Sequence, residues 1–267
     1  MASARVYSYR TPVKAPGFQI DVASPERLIG FHRLGERTGF VWNAGERGKP
    51  AINADIQNES EAVRMIADPD FEVLGTNGVT ASVTFNAEGG VNLTTAGASA
   101  DQVIVAPHLD VSQSGWMQTT WGTDKETRWE CRLTTASAIT SIIIWAGLKL
   151  TNTSTTATDN DQAFFRFAPS VNSGKWQAVY SIGNVDVSTD TGIAVAASTA
   201  YHLAIIIDST RVPRFYITIG TGEPVLVATG TALTDATDFI PYIGVEASAA
   251  AAKSIVLHGE AISRVTG

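Results

Sequence analysis

Residues 201–227 constrain the fold more than any other stretch of the chain. They hold two long runs of β-forming residues around a short polar turn. The first run ends in three consecutive isoleucines, whose branched side chains favour an extended backbone. In the second run, Phe215, Ile217 and Ile219 alternate with polar residues and so share one face of a strand. A short apolar run, Val225–Val227, follows. The stretch therefore predicts a β-meander of three strands.

The same rhythm of short β-forming runs continues through residues 69–267. Ile139–Leu150 is a candidate central strand, and Gly192 lies in a predicted loop. The run Val79–Phe85 is expected to lie near Ser254–Ile262, because the terminal runs of such folds often pair. About a dozen strands without a long helix are typical of an all-β, two-sheet antiparallel sandwich.

Residues 1–68 have a different character and predict an extended N-terminal arm or a small irregular subdomain. Four of the ten prolines fall there. Residues 1–66 carry nine Lys and Arg against seven Asp and Glu, a net charge of +2, whereas the rest of the chain carries ten against nineteen, a net charge of −9. A short helix is predicted at Ser60–Ala67. With few apolar anchors, the arm is expected to fold against the body, a neighbouring copy or another protein.

Composition excludes several classes of function. The net charge of −7 argues against a nucleic-acid-binding surface. No run of eighteen apolar residues predicts a membrane span. The single cysteine, Cys131, rules out an intramolecular disulfide and is expected to be a small buried apolar group. These features predict a soluble protein made in a reducing cytoplasm.

No catalytic or cofactor motif is present. The chain has no phosphate-binding loop, no G-x-S-x-G turn and no H-E-x-x-H. Glu126 and Glu130 are a conceivable carboxylate pair, but four residues along a strand separate them by roughly 13 Å. That distance is too long for the two acids of a glycosidase. We therefore expect no enzymatic activity and no cofactor, and we expect a lone histidine such as His202 to lie at the surface or between strands.

Two sets of residues are candidates for ligand binding. Asp159 and Asp161 offer clustered oxygen ligands for calcium on a polar loop, although such carboxylates are also common as solvated surface groups. Trp116 and Trp121 would stack on sugar rings if they were exposed together, and would otherwise be core or interface residues.

The meander resembles the concanavalin-A-like, or laminin-G-like, jelly roll. The resemblance rests on Tyr201, Leu203, Ile205 and Ile207, on Arg214–Ile217 and on Val225–Val227, while the turn at 218–223 is longer than the family norm. It implies a concanavalin-A-like jelly roll over residues 69–267. This fold carries lectins, hydrolases and structural modules, so it does not by itself assign an activity.

The whole chain also resembles auxiliary virion proteins of tailed bacteriophages. The similarity lies in the proline- and glycine-rich arm and in the segment Trp145–Trp176, with its GLKLTNT and RFAPSVNSGKW sequences. It implies a capsid decoration protein, or a tail or fibre protein, assembled in the host cytoplasm. The implied partners are other virion proteins, the major capsid protein first, and copies of the chain itself, as a trimer. A lectin-like module for host-surface glycans is the alternative.

Overall fold

The computed structural model describes residues 37–43, 71–87, 89–107, 121–150 and 159–265. Within these ranges the chain is built from β-strands joined by turns. The strands are β1 (Arg37–Asn43), β2 (Phe71–Leu74), β3 (Val83–Phe85), β4 (Val91–Thr94), β5 (Gln102–Pro107), β6 (Trp121–Gly122), β7 (Arg128–Thr134), β8 (Ile142–Lys149), β9 (Asp161–Phe167), β10 (Lys175–Ile182), β11 (Val185–Ala194), β12 (Ala200–Ile207), β13 (Pro213–Ile219), β14 (Val225–Thr229), β15 (Asp238–Ala247) and β16 (Ser254–Val265).

The strands form two antiparallel sheets. The first sheet has the order β14-β13-β12-β7-β16-β4-β3, and β1 pairs with the C-terminal half of β16. The second has the order β11-β10-β9-β8-β15-β5-β2, and β6 pairs with the start of β15. The expected all-β, two-sheet antiparallel sandwich is confirmed.

One main core fills the space between the sheets. Alternate residues of the central strands point inward, as the two-residue period of a strand requires. Phe165 illustrates the packing, since its ring meets Trp176 and Phe215 edge-on at centroid distances of 6.5 and 5.4 Å. The large side chains with almost no exposure here are Trp121, Trp129, Trp176, Tyr201, Phe165, Phe167 and Phe215.

The predicted meander is present as β12, β13 and β14. β12 pairs with β13 from Tyr201↔Ile219 to Ile207↔Pro213, and β13 pairs with β14. Asp208 closes the turn between β12 and β13, because its Oδ1 accepts the Thr210 N–H at 2.9 Å and its Oδ2 lies 3.1 Å from Arg214. Partial burial raises the pKa of Asp208, but hydrogen bonds from Thr210, Val212 and Arg214 outweigh it and lower the pKa to about 2.

The structure differs from the sequence-based prediction in three places. The loop predicted through Gly192 is the ten-residue strand β11. Only Val83–Phe85 of the predicted Val79–Phe85 run is a strand, and it reaches β16 through β4 rather than directly. Residues 37–43 of the predicted arm form β1 in the first sheet. The rest of residues 1–68, including the predicted helix Ser60–Ala67, lies outside the described residues.

None of the helical segments in the described ranges has the length and apolarity needed to span a membrane.

Candidate functional site

The outer face of the second sheet carries a cluster of aromatic side chains beside a row of hydrogen-bonded polar ones. Side chains along β8 and β15 alternate between the two faces of the sheet. Ile144 and Ile243 point into the main core, whereas Trp145 and Tyr242 point to the opposite, outer face. Their rings stack at a centroid distance of 6.2 Å. With Phe164 they belong to a second apolar cluster whose other buried members are Ile104, Ala106, Val179 and Ile240. Because these rings have at most 2% exposure, this face offers no open aromatic platform.

Close approach of the backbone makes room for these rings. Gly244 lies directly across from Trp145 in the pairing of β15 with β8. A Cβ at this position would lie 2.5 Å from the nearest indole carbon, inside van der Waals contact. A glycine is therefore required where the indole lies flat against the sheet.

A row of polar side chains crosses the same face beside the aromatic cluster. The Gln162 amide donates hydrogen bonds to Ser181 Oγ and to Asp186 Oδ1, both at 2.7 Å. The Ser181 hydroxyl also donates to Asp186. These side chains come from the neighbouring strands β9, β10 and β11, and their mutual hydrogen bonds offset the cost of burying them.

Lys149 ends this polar row in a fully buried position. Its Nζ lies 3.8 Å from Asp159 Oδ2 and 5.1 and 5.9 Å from the ring centroids of Tyr242 and Phe164. Burial lowers the pKa of Lys149, while the carboxylates of Asp159 and Asp186 oppose that shift. Burial likewise raises the pKa of the Tyr242 hydroxyl. The ammonium is thus held between a carboxylate and two aromatic faces.

The two carboxylates predicted as calcium ligands have separate protein partners. Asp159 pairs with Lys149, whereas Asp161 Oδ1 accepts the backbone N–H of Thr234 at 3.2 Å. Both are almost fully buried rather than solvated. In the part of the chain that the structure describes, no group of three or more His, Cys, Asp or Glu side chains is placed to hold a metal ion. A calcium site at Asp159 and Asp161 stays a prediction.

The two tryptophans predicted to contact a glycan are not seen together. Trp121 lies in β6 opposite Phe239 and has no solvent exposure. Its ring therefore belongs to the core, which is the alternative that the sequence left open for it, and it presents no face for a sugar to stack on. Trp116 lies outside the described residues, and its role stays a prediction.

Glu126 and Glu130, the carboxylate pair considered for glycoside hydrolysis, do not lie on one strand. Glu126 precedes β7 and has a positive φ of 49°, so it does not share a strand with Glu130. Glu130 lies on the outer face of the first sheet, where its Oε2 is 2.8 Å from His202 Nε2. His202 is thus a largely buried residue between two strands, as expected. The outward positions of β8 and β9 hold no carboxylate either; they are Ile143, Trp145, Gly147, Lys149, Gln162, Phe164 and Arg166.

A buried acid was missed by the sequence analysis. Glu260 points into the main core, where its Oε1 accepts the Trp129 indole N–H at 2.6 Å. Burial raises the pKa of Glu260 to about 8, although the Trp129 hydrogen bond opposes the shift. The neighbouring Cys131 is fully buried, as expected, and burial followed by the charges of Glu260 and Glu130 raises the pKa of its thiol.

A β-bulge explains why Glu260 was missed. Ile255 and Leu257 point inward, so strict alternation would turn Glu260 outward. The pairing with β7 shifts register between Leu257 and Gly259, and one extra residue, His258, is inserted there. After the bulge, Glu260 and Ile262 face the core. The sequence carries one sign of this bulge: Gly259, next to Glu260, is an isolated glycine inside a strand pattern.

No family model and no curated protein sequence matches the chain. Solved structures with a similar fold include a protein of unknown function, SO2946, from Shewanella oneidensis, with 12% identity, a TM-score of 0.53 and coverage of 85% of this chain and 87% of that one. Peanut lectin is similar with 11% identity, a TM-score of 0.50 and coverage of 85% and 97%. A pseudo β-1,3-glucanase of Mycobacterium tuberculosis, Rv0315, has 7% identity, a TM-score of 0.50 and coverage of 73% and 91%. At such identities the similarity establishes a fold: the chain is a concanavalin-A-like jelly-roll sandwich.

Proposed function

We propose that the protein is a non-catalytic structural component of a tailed-bacteriophage particle, a capsid decoration protein attached through its N-terminal arm. The observation that carries the proposal is β1. The arm enters the first sheet there and pairs with β16 from Arg37↔Val265 to Asn43↔Gly259. A continuous ladder of backbone hydrogen bonds would pass force on residues 1–36 into the sandwich, as an attachment point requires.

The arrangement of carboxylates supports a role without catalysis. A sandwich glycosidase needs two acids roughly 5–9.5 Å apart that face the same substrate. In the described ranges, Glu130 pairs with His202, Glu260 lies in the core and Asp186 is bonded to Gln162 and Ser181. Each of these acids has a structural partner. The chain is therefore proposed to act by binding to other virion proteins, the major capsid protein first.

Rebinding to particles tests the attachment. Purified full-length protein is expected to co-sediment with particles stripped of it, at a saturating ratio fixed by the lattice. A chain that lacks residues 1–36 but retains β1 is expected to remain in the supernatant. Equal sedimentation of both chains would contradict attachment through the arm, and no sedimentation of either would contradict the decoration role.

A carbohydrate-binding role is the second candidate, and the fold shared with peanut lectin favours it. The burial of Trp121 and of the outer-face aromatic rings weighs against a stacking platform on the described sandwich. Binding on a glycan array that is lost in Trp116→Ala would support this role. Binding to no glycan, or binding unchanged by that substitution, would count against it.

A further inference from the structure

Glu260 lies in a part of β16 that has a central strand on one side and an edge strand on the other. β7 pairs with this part of β16, with Cys131 directly opposite Glu260, and β7 also pairs with β12. β1 pairs with the other side, with Trp42 directly opposite Glu260. β4 covers that side only along Ser254–Leu257. Among the described strands, β1 alone therefore closes this side of Glu260, and β1 is paired to one strand only.

The ladder between β1 and β16 begins at the bulge. Its last pair, Asn43↔Gly259, lies immediately beside the inserted residue His258. A bulge disrupts the ladder locally. An edge strand that ends at such a disruption is a segment that can open locally while the rest of the sheet stays paired.

The inward side chains of β7 give the Glu260 carboxyl one hydrogen bond and no charge partner. Trp129 donates its indole N–H to Oε1 at 2.6 Å. Burial raises the pKa of the Cys131 thiol, so this neighbour stays neutral. The charged residues of β7 alternate with these two and point to the outer face of the sheet: Arg128, Glu130 and Arg132.

The other described strands around Glu260 place no cation beside its carboxyl. On β16, His258 is bonded to Thr134 on the outer face, and Arg264 is four residues further along, roughly 13 Å away. β1 carries one charged residue, Arg37, at the far end of its ladder. The acids of β15 alternate to the outer face of the second sheet: Asp238 and Glu246. The strands that contact β16 turn apolar side chains to the core: Val91, Leu93, Trp121, Phe239 and Ile243.

Ionisation of Glu260 would therefore leave a carboxylate in the core with a single hydrogen bond. A charge buried without a counter-charge is costly, and hydration removes that cost. Water can reach this side of β16 if a neighbouring strand leaves. β7 is paired on both sides, whereas β1 is paired on one, so the departure of β1 breaks fewer hydrogen bonds.

We propose that Glu260 is a pH-dependent switch on the pairing of β1. The protonated acid keeps β1 paired with β16, and ionisation releases β1 from the sheet while the rest of the sandwich stays folded. Because residues 1–36 are joined to the sheet through β1, the switch controls that connection. The inference concerns β1 itself and stands whether or not the protein decorates a capsid.

The direction of the pH dependence follows from the two states of Glu260. Its pKa is about 8 while the carboxyl is buried, against an ordinary value of 4.5 once water surrounds it. Opening therefore releases a proton and is favoured as pH rises between these values. The ratio of open to closed β1 should increase about tenfold per pH unit in this interval and level off above pH 8. From pH 6 to pH 9 the increase amounts to roughly a hundredfold.

Hydrogen exchange of the full-length protein, followed by mass spectrometry of peptides that cover residues 37–43, tests the proposal. The rate in the wild type is divided by the rate in Glu260→Gln at the same pH, which cancels the intrinsic pH dependence of exchange. We expect this quotient to rise roughly a hundredfold for β1 between pH 6 and pH 9. Peptides from β12 should exchange far more slowly than β1 at both pH values. Glu223→Gln, which alters an exposed carboxyl, is the control and should exchange like the wild type.

Two outcomes would overturn the proposal. A quotient for β1 that stays constant with pH would show that Glu260 does not control the strand. Equal exchange rates in β1 and β12 at pH 9 would show that the whole sandwich opens, rather than β1 alone.

A disulfide between β1 and β16 gives a second measurement in which Glu260 is retained. Val41 is the direct partner of Ala261, and directly paired positions are within the reach of a disulfide. Ala261 alternates with Glu260, so the new disulfide lies on the face away from the buried Cys131. The oxidised Val41→Cys/Ala261→Cys protein should lose the rise in β1 exchange, and its reduced form should keep it. A rise that oxidation leaves unchanged would contradict release of β1.

Discussion

Replacing Glu260 by glutamine should make the sandwich more stable at alkaline pH. The ordinary pKa of a glutamic acid is 4.5, and burial raises that of Glu260 to about 8. Between these pH values the folded state keeps a proton that the unfolded state has lost. The free energy of unfolding therefore falls as pH rises from 4.5 to 8, by about 1.4 kcal/mol per pH unit.

The total effect is large relative to the stability of a domain. Over the interval from 4.5 to about 8, the slope amounts to at most about 5 kcal/mol, against roughly 5–15 kcal/mol for a whole domain. Above pH 8 this contribution falls no further. Glu260→Gln keeps an oxygen acceptor for the Trp129 indole N–H and has nearly the shape of the protonated acid. Its free energy of unfolding should lack this slope.

Urea unfolding monitored by tryptophan fluorescence at pH 5, 7 and 9 measures the effect. We expect the wild type and Glu260→Gln to differ by less than about 1 kcal/mol at pH 5, and the variant to be more stable by several kcal/mol at pH 9. Glu223→Gln removes an exposed carboxyl and serves as the control. Parallel pH profiles of the wild type and Glu260→Gln would refute the reasoning.

Three other substitutions test the packing and the buried charges. Gly244→Ala should lower the free energy of unfolding by about 1–3 kcal/mol in urea titrations because its Cβ meets the indole ring, whereas Gly97→Ala, with open space around it, should change stability little. Lys149→Met should cost about 3–5 kcal/mol by leaving Asp159 without its cation, and adding Asp159→Asn should restore most of that loss in a double-mutant cycle. Asp208→Ala should cost about 1–2 kcal/mol at pH 7. Because the pKa of Asp208 is lowered to about 2, this difference should vanish as pH falls from 3.8 through 2 in acid unfolding curves.

The fold could be predicted from local patterns, because alternation within strands reports which residues face the core. This held for the meander, where Leu203, Ile205 and Phe215 are fully buried as expected. β11 escaped prediction because residues 185–190 are all exposed, so burial does not require apolar residues there. Its sequence, VDVSTDTGIA, consequently reads as a loop.

The arrangement of the candidate site could not be predicted in the same way. The pairing of Lys149 with Asp159, and the layer of Trp145 and Tyr242 on the outer face, depend on which strands become neighbours. Strand order is a long-range property that no single run of residues encodes. Glu260 shows the limit most clearly, because one inserted residue reversed the faces of the strand after it.

Quantitative mass spectrometry of purified phage particles tests the central claim most directly. The account predicts that this chain is present in intact, tail-containing particles at a fixed ratio to the major capsid protein, and that the ratio stays constant through successive density gradients. Absence of the chain from such particles, with the protein found only in the host lysate, would contradict the proposal that it is a structural component of the virion.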